Sequence, residues 1–588
     1  MKEKVKKILS KHWPALILAL VVGLLVVQPT VSSILNIGVD NFKGVYPIFA
    51  DDEEYYLARV KDVVDGHPTL GNAYIKEHQD GPYMLPPLAE WLFAKTATTL
   101  DVSVPGLFAV NDFIFPFVTM LLLYGLILSL TSSRKISLIA SFLFCILFIR
   151  YFGRAINPQF SFIFLAAGLL MVSKIFFLRE NKNIKKIIIY NLLLAVFFGV
   201  LVYIYPYFWT TIITTYFLTL LARLSLEKDF WFPIKNLSIF FPIAFIFSLP
   251  YLINLIKTYK NPVYSETVSR MGMINTHWPA AYYNVAIILI MAVVLIILRK
   301  NIGVSRLYFS YALLGAGIVL NWQNVITGKY LLFSGHYFQA TVFIVWLVLS
   351  IIIVPTIHGL KNRHDFINTA FAILGVTLFL IVIFHKQIDG IKRAVFTSES
   401  ESKMKELQQM RPVFDWFNSN TPKDSVVLYF TDSNMYLYPV YTHNNLYGPA
   451  SPFLISNDEI EERWVRQNIF NDKIDEKYIT ENEKTIWQND FIDKYQNKEV
   501  RRKVIRFLTG KKGTEAEILP KEYAERVFAK YKKAKDDGLE KAFKKYEIDY
   551  ILLDRKIEES GRIEKELKKE KFLEPIKEFD NIIIYKVN

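Results

Sequence analysis

The first 385 residues hold eleven long apolar runs, at 14–35, 107–130, 136–152, 160–177, 187–205, 207–222, 237–256, 282–298, 307–325, 337–354 and 366–384. Lipid offers no water to a backbone N–H or C=O, so runs of this length read as spanning helices whose hydrogen bonds are all internal. Residues 386–588 are charged and read as soluble. The fold class expected is therefore a polytopic α-helical membrane protein of about 11 helices (1–385), with a C-terminal α/β domain (386–588). With 52% hydrophobic residues the chain is too apolar for disorder. Its 25 Gly and 24 Pro exclude a collagen-like or low-complexity class. A single cysteine, Cys145, excludes an intrachain disulfide and a Cys-based zinc site.

Charge placement orients the bundle. Lys and Arg outnumber Asp and Glu by 69 to 55. With the N-terminus in the cytoplasm, the cytoplasmic segments carry 19 Lys and Arg and the short outer loops carry 6. That asymmetry follows the positive-inside rule and predicts an odd number of spans, with the C-terminal domain outside the cell membrane. The positive excess then serves orientation, and no nucleic-acid partner is implied. The first run follows Lys2 to Lys11 as in a signal peptide, but it is long and continues into Gln28-Pro29 without a small-residue cleavage site. It reads as an uncleaved anchor.

Two outer pieces stand out. The loop 37–106 is far longer than a connection needs, and long ordered loops usually carry function. In the C-terminal domain, 401–420 reads as an amphipathic helix, Ser425–Phe430 as a strand, 456–546 as helix-rich, and Tyr550–Leu553 and Ile582–Val587 as two closing strands. The first outer loop begins with four consecutive carboxylates, Asp51, Asp52, Glu53 and Glu54. Their mutual repulsion raises at least one pKa, which suits a general base or a divalent cation. The competing reading is an acidic helix start favoured by the macrodipole.

After the carboxylates come Tyr55-Tyr56-Leu57-Ala58-Arg59, Gly66-His67-Pro68, Gly71-Asn72 and Leu85-Pro86-Pro87-Leu88-Ala89-Glu90-Trp91. This order resembles the first periplasmic loop of the GT-C membrane glycosyltransferases, especially the protein mannosyltransferase and lipid A aminoarabinose transferase branch. Trp416 to Val427 also resembles the start of the outer domain in some GT-C proteins, oligosaccharyltransferases included. The resemblance implies inverting transfer of a hexose or pentose from a polyprenyl-phosphate donor to a glycan, lipid or protein acceptor at the outer face. It gives Asp51 or Asp52 the role of base, with Glu53 the adjacent acid.

Two departures are visible. Leu85 stands before Pro86-Pro87 where the aminoarabinose transferases have a lysine, and the stretch Arg150 to Gln159 lacks the second acid of many GT-C enzymes. A metal site like that of the oligosaccharyltransferases is thus unsupported, although the first-loop acids leave room for a divalent ion. Arg150 and Arg154 can grip a lipid phosphate in bidentate fashion or snorkel to the headgroups. The remaining substrate-binding candidates are Arg59, Asn157, Gln159, Glu266, Arg270, Lys329 and His336. His67, His78, His277 and His336 lack metal-ligand spacing, and no P-loop or dinucleotide fingerprint is present.

A transporter or lipid flippase is the alternative, and a cell-envelope assembly or sensor protein a third. Coupled transporters carry ionisable groups at mid-membrane, whereas the only acid within these spans is Asp112, near the outer end of the second. The topology is open to a direct check. In Ser433→Cys, an impermeant thiol reagent applied to intact cells should label the new cysteine and leave Cys145 silent. Labelling only after lysis would reverse the orientation.

Overall fold

The structure, a computed structural model, describes residues 2–50, 52–178, 183–270, 273–279, 281–330, 336–359, 398–431, 435–448, 453–487, 505–506, 509–510 and 521–588. Among these, eight helices are long and apolar enough to cross a membrane: Ser10–Ile37, Val104–Thr131, Ala155–Leu178, Ile184–Leu201, Pro206–Glu227, Trp231–Tyr259, Tyr282–Asn301 and His336–Val354. Each coincides with one of the eleven apolar runs. The run at 136–152 forms a helix over Arg134–Leu147 of only 14 residues. At 1.5 Å per residue this is roughly 21 Å, short of a ~30 Å hydrocarbon core. The run at 307–325 is an 18-residue helix, Val304–Asn321, diluted by Arg306, Ser310 and Asn321. The run at 366–384 and the domain boundary at 385/386 lie outside the described residues.

Helix α1 (Lys2–Ile37) packs along α4 (Val104–Thr131), and between them the first outer loop folds into two further helices, α2 (Glu53–Asp65) and α3 (Leu88–Leu100). Pro87 precedes α3, where its fixed φ and missing N–H cost the helix nothing. The third apolar run ends in irregular backbone. After the short helix Ile149–Phe152, residues 155–160 contain a non-helical Asn157 and Pro158 before a regular helix resumes at Ser161. Non-helical backbone at this depth is tolerated only where it is buried in protein or faces a wet cavity. A short antiparallel pair, β1 (Ile274–Asn275) with β2 (Lys329–Tyr330), ties together the connections that precede the helices Tyr282–Leu298 and His336–Gly359.

The C-terminal domain is built on one five-stranded sheet in the order β4-β3-β5-β7-β6. Its strands are β3 (Val426–Phe430), β4 (Asn445–Leu446), β5 (Tyr550–Asp554), β6 (Leu573–Glu578) and β7 (Ile582–Val587). β3 and β5 pair in parallel and are buried throughout, which is why both read as uninterrupted apolar runs. The sequence reading missed β4 and β6. β4 is two residues long, and β6 is a mostly exposed edge strand with Pro575 at a bulge, devices that blunt an edge and also erase its hydrophobic signature. The single helix expected over 401–420 is two, Glu401–Gln409 and Arg411–Asn420, parted at Met410.

The first outer loop is clamped to this domain. The Gln408 side chain accepts from the Lys43 and Val45 amides (2.8 and 3.3 Å) and donates to the Val45 carbonyl (2.8 Å). The Tyr46 amide donates to the Tyr441 hydroxyl, and the Leu446 amide on β4 to the Tyr74 carbonyl, both at 2.8 Å. Arg463, buried, bridges Glu77 and Glu459 at 2.8 Å each, and His78 also reaches Glu459. His67 and His78 are thus junction residues, each against a carboxylate of the C-terminal domain.

Asp62 lies at the centre of this junction. Gln79 donates to it at 3.0 Å and to Asn445 at 2.9 Å, while Asp62 Oδ2 and Asn444 Oδ1 are buried with no partner among the described residues, beside a cavity wide enough for about one water. Burial raises the Asp62 carboxyl to about 7, against the lowering influence of His67 and the Gln79 hydrogen bond. A folded-state pKa above the unfolded one means that the native state holds the proton more tightly. Stability should therefore fall as pH rises from about 4 to about 7 and level off above. In Asp62→Asn the fall should disappear, giving a melting temperature above wild type near about pH 8 and close to it near about pH 5. Differential scanning fluorimetry of full-length protein at both pH values checks this.

Candidate functional site

The residues after α1 turn sharply into α2, and the turn itself builds the site. Asp52 precedes the helix with φ 64°, the left-handed region, which costs a non-glycine residue roughly 1 kcal/mol. Aspartate tolerates this conformation better than most residues, and here the side chain is also held. Arg154 Nη2 lies 2.5 Å from Asp52 Oδ2, and its guanidinium carbon sits 5.9 Å from the Tyr56 ring centre. Asp52 remains 65% exposed, so a carboxylate with a fixed cationic neighbour faces solvent. Glu53 and Glu54 occupy the first turn of α2, where the macrodipole favours carboxylates. Asp51 lies outside the described residues.

Glu53 points the other way, into protein, and is buried. Burial pushes its carboxyl well above the ordinary range. The Asp112 carboxylate and then Glu54 act in the same sense, while backbone hydrogen bonds with Ala50 and Phe49 oppose them. Asp112, on α4, accepts from Gln159 Nε2 at 2.7 Å, and the same amide nitrogen also donates to the Phe152 carbonyl. Asn157 donates to the Tyr56 hydroxyl at 3.4 Å, and its buried Oδ1 has no partner among the described residues. The Tyr56 hydroxyl is itself pushed up by burial, with Arg154 opposing. The irregular segment 154–160 thus delivers three polar side chains to α2 and α4 that a straight helix would have spread around its circumference.

A wall of aromatic rings closes the far side. Tyr205, Tyr207 and Tyr337 cluster at centroid distances of 4.9–5.2 Å along the ring series, and His336 Nδ1 is hydrogen-bonded to the Tyr205 hydroxyl. Asp52, Arg154, Asn157 and Gln159 are therefore brought together from two segments, the start of α2 and residues 154–159, beside the buried Glu53, while His336 joins the tyrosine cluster. Tyr56 and Tyr205 were not assigned from sequence, although the run Tyr203-Ile204-Tyr205-Pro206-Tyr207 between two spans is a visible aromatic signal.

The other assigned residues sit in different surroundings. Arg59 is 1% exposed and forms an ion pair with Glu90 at 2.6 Å, with further bonds to the Leu85 carbonyl and the Tyr55 hydroxyl. It fastens α2 to α3, and Leu85 contributes its carbonyl where a lysine was expected. Arg150 is exposed on the short helix Ile149–Phe152. Glu266 and Arg270 join the C-terminal domain: Glu266 accepts from the Asn457 amide at 2.6 Å, and Arg270 donates to the Ile455 carbonyl at 2.6 Å. Lys329 is exposed on β2. The amides at 321–324 bond neighbouring groups: Asn284 donates to Asn321, Asn321 to Thr341, and Asn324 to the Trp278 carbonyl, while Asn324 Oδ1 is buried with no partner among the described residues. Among the described residues no three His, Cys, Asp or Glu side chains converge as a metal site.

No family model matches the chain. No curated protein matches it either. Among solved structures, the chain is similar to the crystal structure of ArnT from Cupriavidus metallidurans bound to undecaprenyl phosphate. That similarity has a TM-score of 0.42 at 9% sequence identity and covers 75% of this chain and 87% of that one.

The Arg59–Glu90 pair gives a direct test of the framework. Removing one partner of a buried ion pair leaves the other charge uncompensated, at a cost of about 3–5 kcal/mol. Arg59→Met should accordingly lower the melting temperature and the yield of folded protein, whereas Lys329→Met, at an exposed position, should leave both within error.

Proposed function

We propose that this protein is a membrane glycosyltransferase that moves a sugar from a polyprenyl-phosphate carrier to an acceptor at the outer face, with inversion and with Asp52 as base. The observation that carries the reading is the exposed Asp52 carboxylate paired to Arg154, at the end of a bundle of apolar helices and in front of the buried Glu53. The likeness of residues 49–92 to the first periplasmic loop of GT-C enzymes points the same way.

The arrangement suits the chemistry. A lipid phosphate arriving at the outer end of the spans competes for Arg154, whose fork can take two phosphate oxygens at once. Losing that partner leaves Asp52 free to accept a proton from the acceptor hydroxyl. The acceptor oxygen then bonds the anomeric carbon as the carbon–oxygen bond to phosphate breaks, and polyprenyl phosphate departs with the electron pair. Attack from the side opposite the leaving group inverts the anomeric centre. Asn157 and His336 supply further polar contacts beside the reacting groups, and the tyrosines offer ring faces against which a sugar can stack. In this reading the N-terminus is cytoplasmic and the C-terminal domain, together with the first outer loop, faces the acceptor.

Purified full-length protein in nanodiscs, supplied with a polyprenyl-phosphate sugar and an acceptor extract, should release polyprenyl phosphate. Asp52→Asn should reduce turnover by about 10²–10⁴-fold, the usual contribution of a positioned base, and Arg154→Met should raise KM for the donor. Wild-type turnover in both Asp52→Asn and Glu53→Gln would sink the assignment.

A further inference from the structure

The C-terminal domain holds a second concave feature, which shares no lining residue with the candidate site. A cleft of about 690 Å³ lies between three of its helices, Asn457–Gln467, Lys521–Asp536 and Leu539–Phe543. That volume falls within the range of about 300–1,000 Å³ usual for small-molecule sites. Gly538, with φ 83°, makes the turn that brings the third helix back against the first. There Arg466 Nε donates to the Ala542 carbonyl at 3.0 Å. Arg466 is buried and also donates through Nη1 to the Glu462 carbonyl at 2.8 Å, so its guanidinium is fixed in place. Its Nη2 has no hydrogen-bond partner among the described residues.

The lining is strongly cationic. Arg466, Lys530, Lys533, Lys541, Lys544 and Lys545 face three acids, Glu462, Asp537 and Glu540. Each acid is already engaged: Glu462 by Arg466 and Lys545, Asp537 by Lys541 at 2.6 Å, and Glu540 by Lys544 at 2.9 Å. Lys533 makes no ion pair among the described residues. Lys530 turns to Asp458 and Glu461, and Glu461 also takes Arg526, so with this outer ring included the cations still exceed the acids by seven to five. Exposed pairs such as Lys541–Asp537 contribute little to stability, so an incoming anion can take over their lysines. We infer that the cleft binds a water-soluble ligand carrying at least two phosphate groups. A phosphate brings close to two charges and several acceptor oxygens, enough for more than one ammonium group, whereas a carboxylate brings one charge and two oxygens. Lysines grip such a group as point charges on flexible stems, and the fixed Arg466 adds one contact of defined direction. The charge excess and the volume both exceed what a single phosphate needs.

This inference is independent of the transferase reading, and its test uses no sugar donor. Isothermal titration of full-length protein in a non-ionic detergent with sodium tripolyphosphate should show saturable binding at low ionic strength that weakens as salt is added. Lys533→Glu combined with Lys541→Glu should lower the affinity by about tenfold or more, because like charge then faces the anion. Both positions are exposed, so the melting temperature should hold. Lys533→Glu alone, which loses no ion pair, should weaken binding in the same direction. Lys568→Glu with Lys569→Glu makes the same change in net charge outside the cleft and should leave the affinity unchanged. Citrate, with its charge on carboxylates, should bind more weakly than tripolyphosphate. So should glycerophosphoglycerol, the single-phosphate head of a membrane lipid. No saturable binding by wild type, or equal losses in the two double variants, would overturn the proposal. Citrate binding as tightly as tripolyphosphate would remove the phosphate preference, and glycerophosphoglycerol doing so would make the cleft a lipid-headgroup site; either result sinks the assignment.

Discussion

The geometry of this protein turns on the start of α2, a point held from two directions at once. From the membrane side, Arg154 fastens it to the irregular segment after the third apolar run, which the Gln159–Asp112 bond in turn ties to α4. From the outer side, Gln408, Tyr441 and β4 fasten the chain that leads into and out of the same helix. Each bond alone contributes on the order of 1 kcal/mol. Together they connect two bodies, an apolar bundle and a charged α/β domain, that share little other chemistry. A site at their junction inherits rigidity from both, and a left-handed aspartate is affordable there because its neighbours over-determine it.

That placement also accounts for the distribution of ionisable groups. The spans carry almost no acid, and the exception, Asp112, sits on the ninth residue of a 28-residue helix, at the end that meets the first outer loop. Burying a carboxyl is costly in proportion to its isolation, and Asp112 is not isolated, because the Gln159 amide bonds it. Asp62 shows the same logic one helix length away. There a buried carboxyl with one satisfied oxygen meets Gln79 of the same loop, whose amide also reaches Asn445 of the C-terminal domain, and the proton it retains up to about 7 does the work of a missing donor. Both ends of α2 therefore carry a carboxyl whose proton is part of the packing.

Much of this was legible in the sequence. Eight of the eleven apolar runs became helices of membrane length because a run of apolar residues in lipid has no competing structure, and the two buried central strands of the C-terminal domain were equally unambiguous. The acidic run located the site for the same reason that it was conspicuous, being four like charges at an apolar boundary. What the sequence withheld was side-chain direction. Arg59 and Arg154 look alike in the chain, yet one faces Glu90 in the core and the other faces Asp52, because α2 turns Arg59 inward seven residues after Asp52, two helical turns along. Glu266 and Arg270 suggested substrate contact and instead meet residues 455–457, a partner surface almost two hundred positions away that no local pattern encodes.

The irregular segment 154–160 shows why such directions resist local reading. Asn157-Pro158 breaks the helix, since proline cannot donate to the ladder and disfavours the helical conformation of the residue before it. The break was visible in the sequence, but its consequence was not. By interrupting the 3.6-residue repeat just where the span meets the outer loop, it lets Arg154, Asn157 and Gln159 reach three different partners, Asp52, Tyr56 and Asp112. In a regular helix residues five apart point about 140° away from each other, so Arg154 and Gln159 would diverge. The same stretch that lacks the acid expected after the third span therefore supplies a cation, Arg154, to the first-loop acid Asp52.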